Sequence, residues 1–157
     1  MSSQRMSSPE IQSFISNWNR IHKQTAIVLA AVPDAKLGYQ PQEDMFSLRQ
    51  LVTHIVRAEV GLTRSALAGS TQKIDLDLSE SSVEQLVEAF NKHHAELVEE
   101  VSQLAPEQLK EEVEFAGHRL SRKALLNVMT EHEISHRGQL FVYLRLVGVQ
   151  PPNIYGV

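Results

Sequence analysis

The amino-acid sequence predicts an all-α fold, a four-helix bundle with long connecting loops, in one domain spanning residues 1–157. Three observations support it. Four long segments repeat apolar residues at the helical period, the stretches between them are rich in turn formers, and strand-like alternation is nearly absent. Amphipathic helices of about 22 to 27 residues can bury their apolar stripes together only as a bundle. A chain of 157 residues with 42% apolar content is long enough to bury a core, and a second domain is not expected.

The first segment runs from about Pro9 to Val32 and sets Ile11, Phe14, Ile15, Trp18, His22, Thr25 and Leu29 on one face, until Pro33-Asp34 stops it. A polar loop over 33–46, with Gly38 and Pro41, leads to the second segment, which starts after the N-cap Ser47 and ends at Gly69. Its stripe is Leu48, Leu51, Ile55, Ala58 and Leu62. The third follows the capping-box pattern Ser81-x-x-Glu84, buries Val83, Leu86, Phe90, Leu97, Val101 and Leu104, and stops at Pro106. The stretch Glu111 to Phe115, before Gly117, is able to extend. The fourth segment begins after Ser121 and runs to about Val147, with Gly148 and Pro151-Pro152 beyond it. Connections of about 11 to 17 residues exceed what tight up-down turns need, so one or two are expected to cross over, and such loops can wall a ligand pocket.

Composition removes several function classes. No run approaches the roughly 20 apolar residues of a membrane span. The N-terminal MSSQRMSSPE has no apolar signal region, so a soluble, cytoplasmic protein without a membrane partner is expected. The formal net charge is -4 and the 15 Lys and Arg residues form no stripe, which argues against a nucleic-acid partner. With no cysteine there is no disulfide, no thiolate nucleophile and no cysteine metal site, so any metal must rest on His, Asp or Glu. The chain has 7 histidines.

His132 and His136 lie about 40° apart on one helix face. Around them are Leu125, Val128, Met129, Leu140 and Tyr143, so both imidazoles are expected to point into an apolar interior. There they need hydrogen-bond partners or a metal, because burying an unpaired polar group costs roughly 1 to 3 kcal/mol. The run His132-Glu133-Ile134-Ser135-His136 fits the H-E-x-x-H pattern of zinc proteases. A protease is nevertheless excluded. Zincins take a third ligand, commonly from downstream, and no His, Asp or Glu follows His136. Nor does the chain offer a clear sheet edge for an extended peptide. Glu133 therefore reads as a coincidence at an unconstrained position. The third ligand must come from upstream: His54, at the edge of the second stripe, is the leading candidate, and His22 is its competitor. Glu59 reads as exposed or as an outer partner, His93 and His94 as packing residues flanking the third stripe, and His118 as a solvated loop residue.

"FSLRQLVTHIVRAE" in the second segment and "LLNVMTEHEISHRGQLFVYLRLVG" followed by "PP" in the fourth give the chain its resemblance to the DinB/YfiT-like superfamily of four-helix-bundle metalloproteins. That family's pattern, one His in the second helix and H-x-x-x-H-R-G-Q in the fourth with Leu-Arg-x-x-Gly close after, maps onto His54, His132, His136, Arg137, Gly138, Gln139, Leu144, Arg145 and Gly148. The resemblance implies that His54, His132 and His136 hold one divalent ion such as zinc or nickel, with water completing an open coordination sphere. Relatives include metal-dependent thiol S-transferases, a thiol-dependent isomerase and proteins called metal-dependent hydrolases. The expectation is a divalent-metal-dependent enzyme with thiol S-transferase chemistry on a small-molecule substrate, using a low-molecular-weight thiol. The alternatives are a hydrolase that activates metal-bound water and a non-catalytic metal-binding stress or partner protein. The resemblance also implies a homodimer. Gln139 could orient a ligand or the metal-bound water, or simply form a hydrogen bond within the helix. Gly138, on the far side, would admit close approach of another helix, from this chain or a second copy. Arg137 and Arg145 read as ion-paired surface groups rather than substrate clamps.

Overall fold

Each helix starts where a serine side chain can take up a backbone N–H that has no partner within the helix. In the computed structural model, which describes residues 6–157, Ser8, Ser47, Ser82 and Ser121 accept from the N–H of Ile11, Gln50, Gln85 and Ala124 respectively. They open α1 (Pro9–Ala30), α2 (Leu48–Ala68), α3 (Val83–Ser102) and α4 (Arg122–Leu146). Residues 1–5, the start of the N-terminal segment searched above for a signal, lie outside the described residues.

The capping box of α3 is one residue later than the sequence pattern suggested, pairing Ser82 with Gln85 rather than Ser81 with Glu84. Ser81 is engaged by the preceding turn: its N–H donates to Leu78 O, and its carbonyl accepts from Arg49. α1 ends two residues early, because the N–H groups of Ala31 and Val32 bond three residues back, to Val28 O and Leu29 O, and tighten the last turn. α2 ends at Gly69 with φ 83°, as expected of a left-handed cap.

The expected extended stretch is strand β1 (Glu112–Phe115), and it pairs antiparallel with β2 (His118–Ser121), which the sequence did not reveal. The turn between them uses Ala116 and Gly117, both at positive φ, which suits a tight hairpin. Four residues reading His-Arg-Leu-Ser are too short and polar to show alternation, so His118 proves to be an exposed strand residue rather than a loop residue.

The four helices form a bundle in which α2 packs mainly on α4 and α3, and α1 on α3 and α4. Chain neighbours α1 and α2, and likewise α3 and α4, therefore face each other across the bundle, and both long connections cross over. The apolar core is in two parts. One gathers Leu29, Leu51, Ile55, Phe90, Leu140 and Leu144. The other gathers Trp18, Val60, Leu97, Leu125, Leu126 and Met129. Between them, at mid-height on every helix, lie buried polar side chains: His22 and Thr25 of α1, Glu59 of α2, His94 of α3, and Glu133 and Arg137 of α4. Among the described residues no helix is long and apolar enough to cross a membrane.

The capping assignment is testable by urea denaturation. Ser82→Ala should cost about 1 kcal/mol of stability, the usual loss on removing an N-cap. Ser81→Ala should cost well under half of that; the opposite ranking would restore Ser81 as the cap.

Candidate metal centre

The packing of α2 on α4 brings three imidazoles together. His54 Nε2 and His132 Nε2 are 3.1 Å apart. The ring centres of His54 lie 4.8 Å from His132 and 4.6 Å from His136, and those of His132 and His136 are 4.3 Å apart. One ring nitrogen from each falls within 4.8 Å of the others, and all three residues are half-buried. At Zn–N bonds of about 2.0–2.1 Å, two nitrogens on a tetrahedral ion stand about 3.4 Å apart, so the observed spacing suits such an ion. His136 Nδ1 donates to Gln139 Oε1 at 2.7 Å. That bond fixes the tautomer and leaves Nε2 as the free donor atom, the usual part of an outer partner at a metal-binding histidine.

The site also keeps two of its imidazoles neutral. Burial, with smaller contributions from His136 and His54, lowers the His132 pKa to about 4. Burial, then the charge of His136, lowers that of His54. Neutral rings present lone pairs, which a metal requires.

The histidines do not occupy the interior, as their apolar neighbours suggested. Leu126 and Leu144 are buried while Val128 is 38% exposed, so the inward face of α4 is rotated away from Val128. Glu133 and Arg137 fill that face at mid-helix, and His132 and His136 stand at its border. The border position gives access to solvent. A cavity of about 390 Å³ lies beside His136, lined by Asp44, Met45, Phe46, Val142 and Tyr143. A second, of about 330 Å³, lies beside His54 and shares Phe46 as a wall. Phe46 packs on the His54 ring at 5.4 Å, and its carbonyl accepts from the Tyr143 hydroxyl at 2.8 Å, which pins the loop to α4.

A second group, His22, Glu59 and His94, is also close enough to hold an ion and is fully buried. Its donors are already engaged. His22 Nδ1 and His94 Nδ1 meet the two oxygens of Glu59 at 3.2 and 2.6 Å. Their Nε2 atoms meet Asn91 Oδ1 and Asn19 Oδ1 at 2.8 and 2.7 Å, and the two rings stack at 3.7 Å. With both nitrogens of each ring occupied, this is a complete hydrogen-bond network. His22 accordingly stands apart from His132 and His136, while His54 is beside them.

Several sequence readings change here. Glu59 is neither exposed nor an outer partner of His54; it is 2% exposed and central to the second group. Glu133 is no unconstrained residue: it is 2% exposed, with Oε2 accepting from Thr25 at 2.9 Å. Arg137 is buried rather than at the surface, its Nη1 within 3.4 Å of Ile21 O, Gln24 Oε1 and Thr25 Oγ1. Arg145 is exposed. Among the described residues nothing outside α4 comes within 4 Å of a Cβ built on Gly138, so no other helix approaches there. His94 joins the central network instead of merely flanking a stripe.

The buried acids are held in opposite states. Burial works to raise the Glu59 pKa, but hydrogen bonds from His22 and His94, with Glu133 close by, bring it down to about 2. Burial, and then the adjacent Glu59 charge, push the Glu133 pKa well above its usual value. Among the described residues Glu133 Oε1 has no hydrogen-bond partner.

Comparison with known proteins gives a consistent picture. The model of the DinB family matches residues 1–157. The Bacillus subtilis protein YjoA is 30% identical over 116 residues, covering 71% of this chain and 73% of its own length. The crystal structure of YjoA, a DinB-like protein, superposes with a TM-score of 0.74 at 26% identity over 90% of this chain and 96% of that one. That of Bacillus subtilis YfiT, described as a probable metal-dependent hydrolase with an unusual four-helix bundle topology, gives a TM-score of 0.71 at 14% identity over 96% and 95%.

The two buried acids should respond differently to neutralisation. Glu59→Gln should cost about 3 kcal/mol, because it breaks a buried charge network. Glu133→Gln, which removes a carboxyl that burial and Glu59 disfavour in its charged form, should be within about 1 kcal/mol of wild type or more stable. The Glu59 pKa is depressed on folding, from 4.5 to about 2. Its contribution is thus fully present above pH 4.5 and is lost as pH falls toward 2. Urea denaturation across that range should show the stability gap between wild type and Glu59→Gln closing as acid is added; a constant gap would refute the assignment.

Proposed function

The chain belongs to the DinB family, and from that premise we propose that it is a metal-dependent enzyme whose one divalent ion, zinc or nickel, is held by His54, His132 and His136. The observation that supports this reading is the convergence of three half-buried imidazoles at a place that two cavities reach. A divalent ion supplies Lewis acidity there, lowering the pKa of a bound thiol or water and stabilising developing negative charge. Gln139 keeps His136 in the required tautomer, and the walls formed by Phe46 and Tyr143 limit access to small molecules.

The reaction we favour is transfer from a low-molecular-weight thiol to a small-molecule substrate. The thiol must come from outside, since the chain contains no cysteine. Thiol chemistry asks little of the protein, because a coordinated thiol loses its proton without a general base. Glu133, the natural base in an H-E-x-x-H reading, is turned into the interior. A second reading, hydrolysis, is supported by the description of YfiT. It also has Asp44 beside His136 as a carboxylate able to take a proton from water. A homodimer belongs to the same proposal: Ile134, Val142 and Leu146 are exposed around Gly138, on the face of α4 opposite Glu133.

Elemental analysis of protein purified without a histidine tag should find about one divalent ion per chain, and His54→Ala, His132→Ala and His136→Ala should each abolish it. Gln139→Ala should weaken binding about 10- to 100-fold, as loss of an outer partner does. Metal retained by all three histidine variants, or none that can be loaded, would defeat the proposal. Assays pairing small thiols with electrophiles, run beside ester hydrolysis, then separate the two reactions.

A further inference from the structure

Along α2, beside His54, runs a row with two arginines that form no ion pair among the described residues. Arg49, Thr53 and Arg57 follow one another at four-residue spacing, so they stack on one side of the helix. Together with His54 they line the cavity of about 330 Å³ beside the metal centre. Each guanidinium is anchored by one nitrogen only: Arg49 Nη1 donates to Ser81 O at 2.8 Å, and Arg57 Nη1 donates to Leu76 O. Five N–H donors are available on a guanidinium, so most remain free. Among the described residues, neither arginine has a carboxylate within 4.0 Å, although seven other ion pairs or histidine–acid pairs on the surface and in the core do form. Asp75 and Asp77 line a surface hollow with Arg57 without forming an ion pair with it, and the Asp77 carboxylate is engaged chiefly by Ser79.

Tethering the segment before α3 needs hydrogen-bond donors, and that role alone does not call for two charges without a paired carboxylate beside a half-buried site. The tethers do something further: they fix each fork in place, so less side-chain entropy is lost when a ligand arrives. Arg57 lies about 4.5 Å and Arg49 about 7.5 Å along the helix from His54, on opposite sides of it, by the rise per residue. The cavity on the other side of Phe46 is equally apolar in its walls, with Met45, Val142 and Tyr143, but carries no arginine.

We propose that the cavity between Arg49 and Arg57 is an oxyanion subsite, which takes a carboxylate or phosphate group of the substrate or thiol whose reacting atom lies at the His54 side of the metal centre. The inference rests on the metal reading for the reacting atom, but not for the anion. Planar forks that bind carboxylate and phosphate in pairs of hydrogen bonds are what arginine offers over lysine.

The test is titration of metal-free and cobalt-loaded protein with succinate and with inorganic phosphate, following arginine Nε–H signals by NMR. Saturable shifts at Arg49 and Arg57 are expected in both forms, and the tighter of the two probes identifies the anion class. Arg49→Gln and Arg57→Gln should each weaken binding about tenfold, the worth of a hydrogen bond to a charged group. Arg119→Gln, on the distant hairpin, should leave it unchanged. Shifts that fail to saturate, that arise at other arginines, or that persist at equal affinity in both glutamine variants would overturn the subsite. The wild-type signals alone decide the matter if a glutamine variant does not fold. Failure of the protein to take up cobalt would defeat the metal reading instead, while the metal-free titration would still report on the anion.

Discussion

One carboxylate at the centre of the bundle sets the terms for everything around it. Glu59 is 2% exposed where the four helices meet, and removing a charge from water costs several kcal/mol unless partners replace the solvent. Two other helices supply them, His22 from α1 and His94 from α3, and Glu133 of α4 lies close enough to feel the charge. The apolar layers above and below would tolerate many packings of similar volume. The polar layer would not, because shifting any helix by a turn strands a charge or a donor. Register of the four helices is therefore fixed more sharply by this network than by the leucines and valines that outnumber it.

The same network sets the geometry of the metal centre. Glu133 and Arg137 must face inward, and on a helix that turns about 100° per residue this leaves His132 and His136 at the border facing α2. His54 stands opposite them. Half-burial there is enough to lower the pKa of His132 to about 4, yet it leaves the rings open to two cavities. A site rotated further inward would be sealed, and one rotated outward would hold protonated imidazoles in water. Central packing thus governs both the charge state of the donors and the access to them.

Much of this was legible in the sequence, for identifiable reasons. Periodicity and serine caps located the helices, and the four-residue spacing of His132 and His136 put both on one face. The long connections indicated crossovers. What stayed hidden was the burial of charge. Glu59, Glu133 and Arg137 are assigned outward by default, because ionisable residues are almost never buried without partners, and these partners lie far off in the chain: His22 is 37 residues from Glu59. A signal did exist. Glu59 continues the inward series Ile55, Leu62 and Ala66 at helical spacing, and two histidines on apolar faces, His22 and His94, each lacked a partner. The strand β2 gave no comparable sign, being four polar-rich residues whose pairing is dictated by the turn before it.

The H-E-x-x-H run shows how little a local motif decides alone. In a zinc protease its glutamate must reach water bound to the metal. Here the helix offers the same residues at the same spacing, but its inward face passes through Glu133 rather than through the histidines. The glutamate is thereby committed to the interior, its pKa raised by burial and its carboxyl bonded to Thr25, while the histidines are left to the cavity. Rotation about one helix axis separates the two outcomes, and that rotation is decided by Glu59, Thr25 and Arg137, none of which lies inside the motif. What the motif retains is the pair of imidazoles; the third comes from α2, and the base is absorbed into the fold. A cluster so built contributes position, neutral donors and access to two cavities, and all three follow from the rotation that buries Glu133.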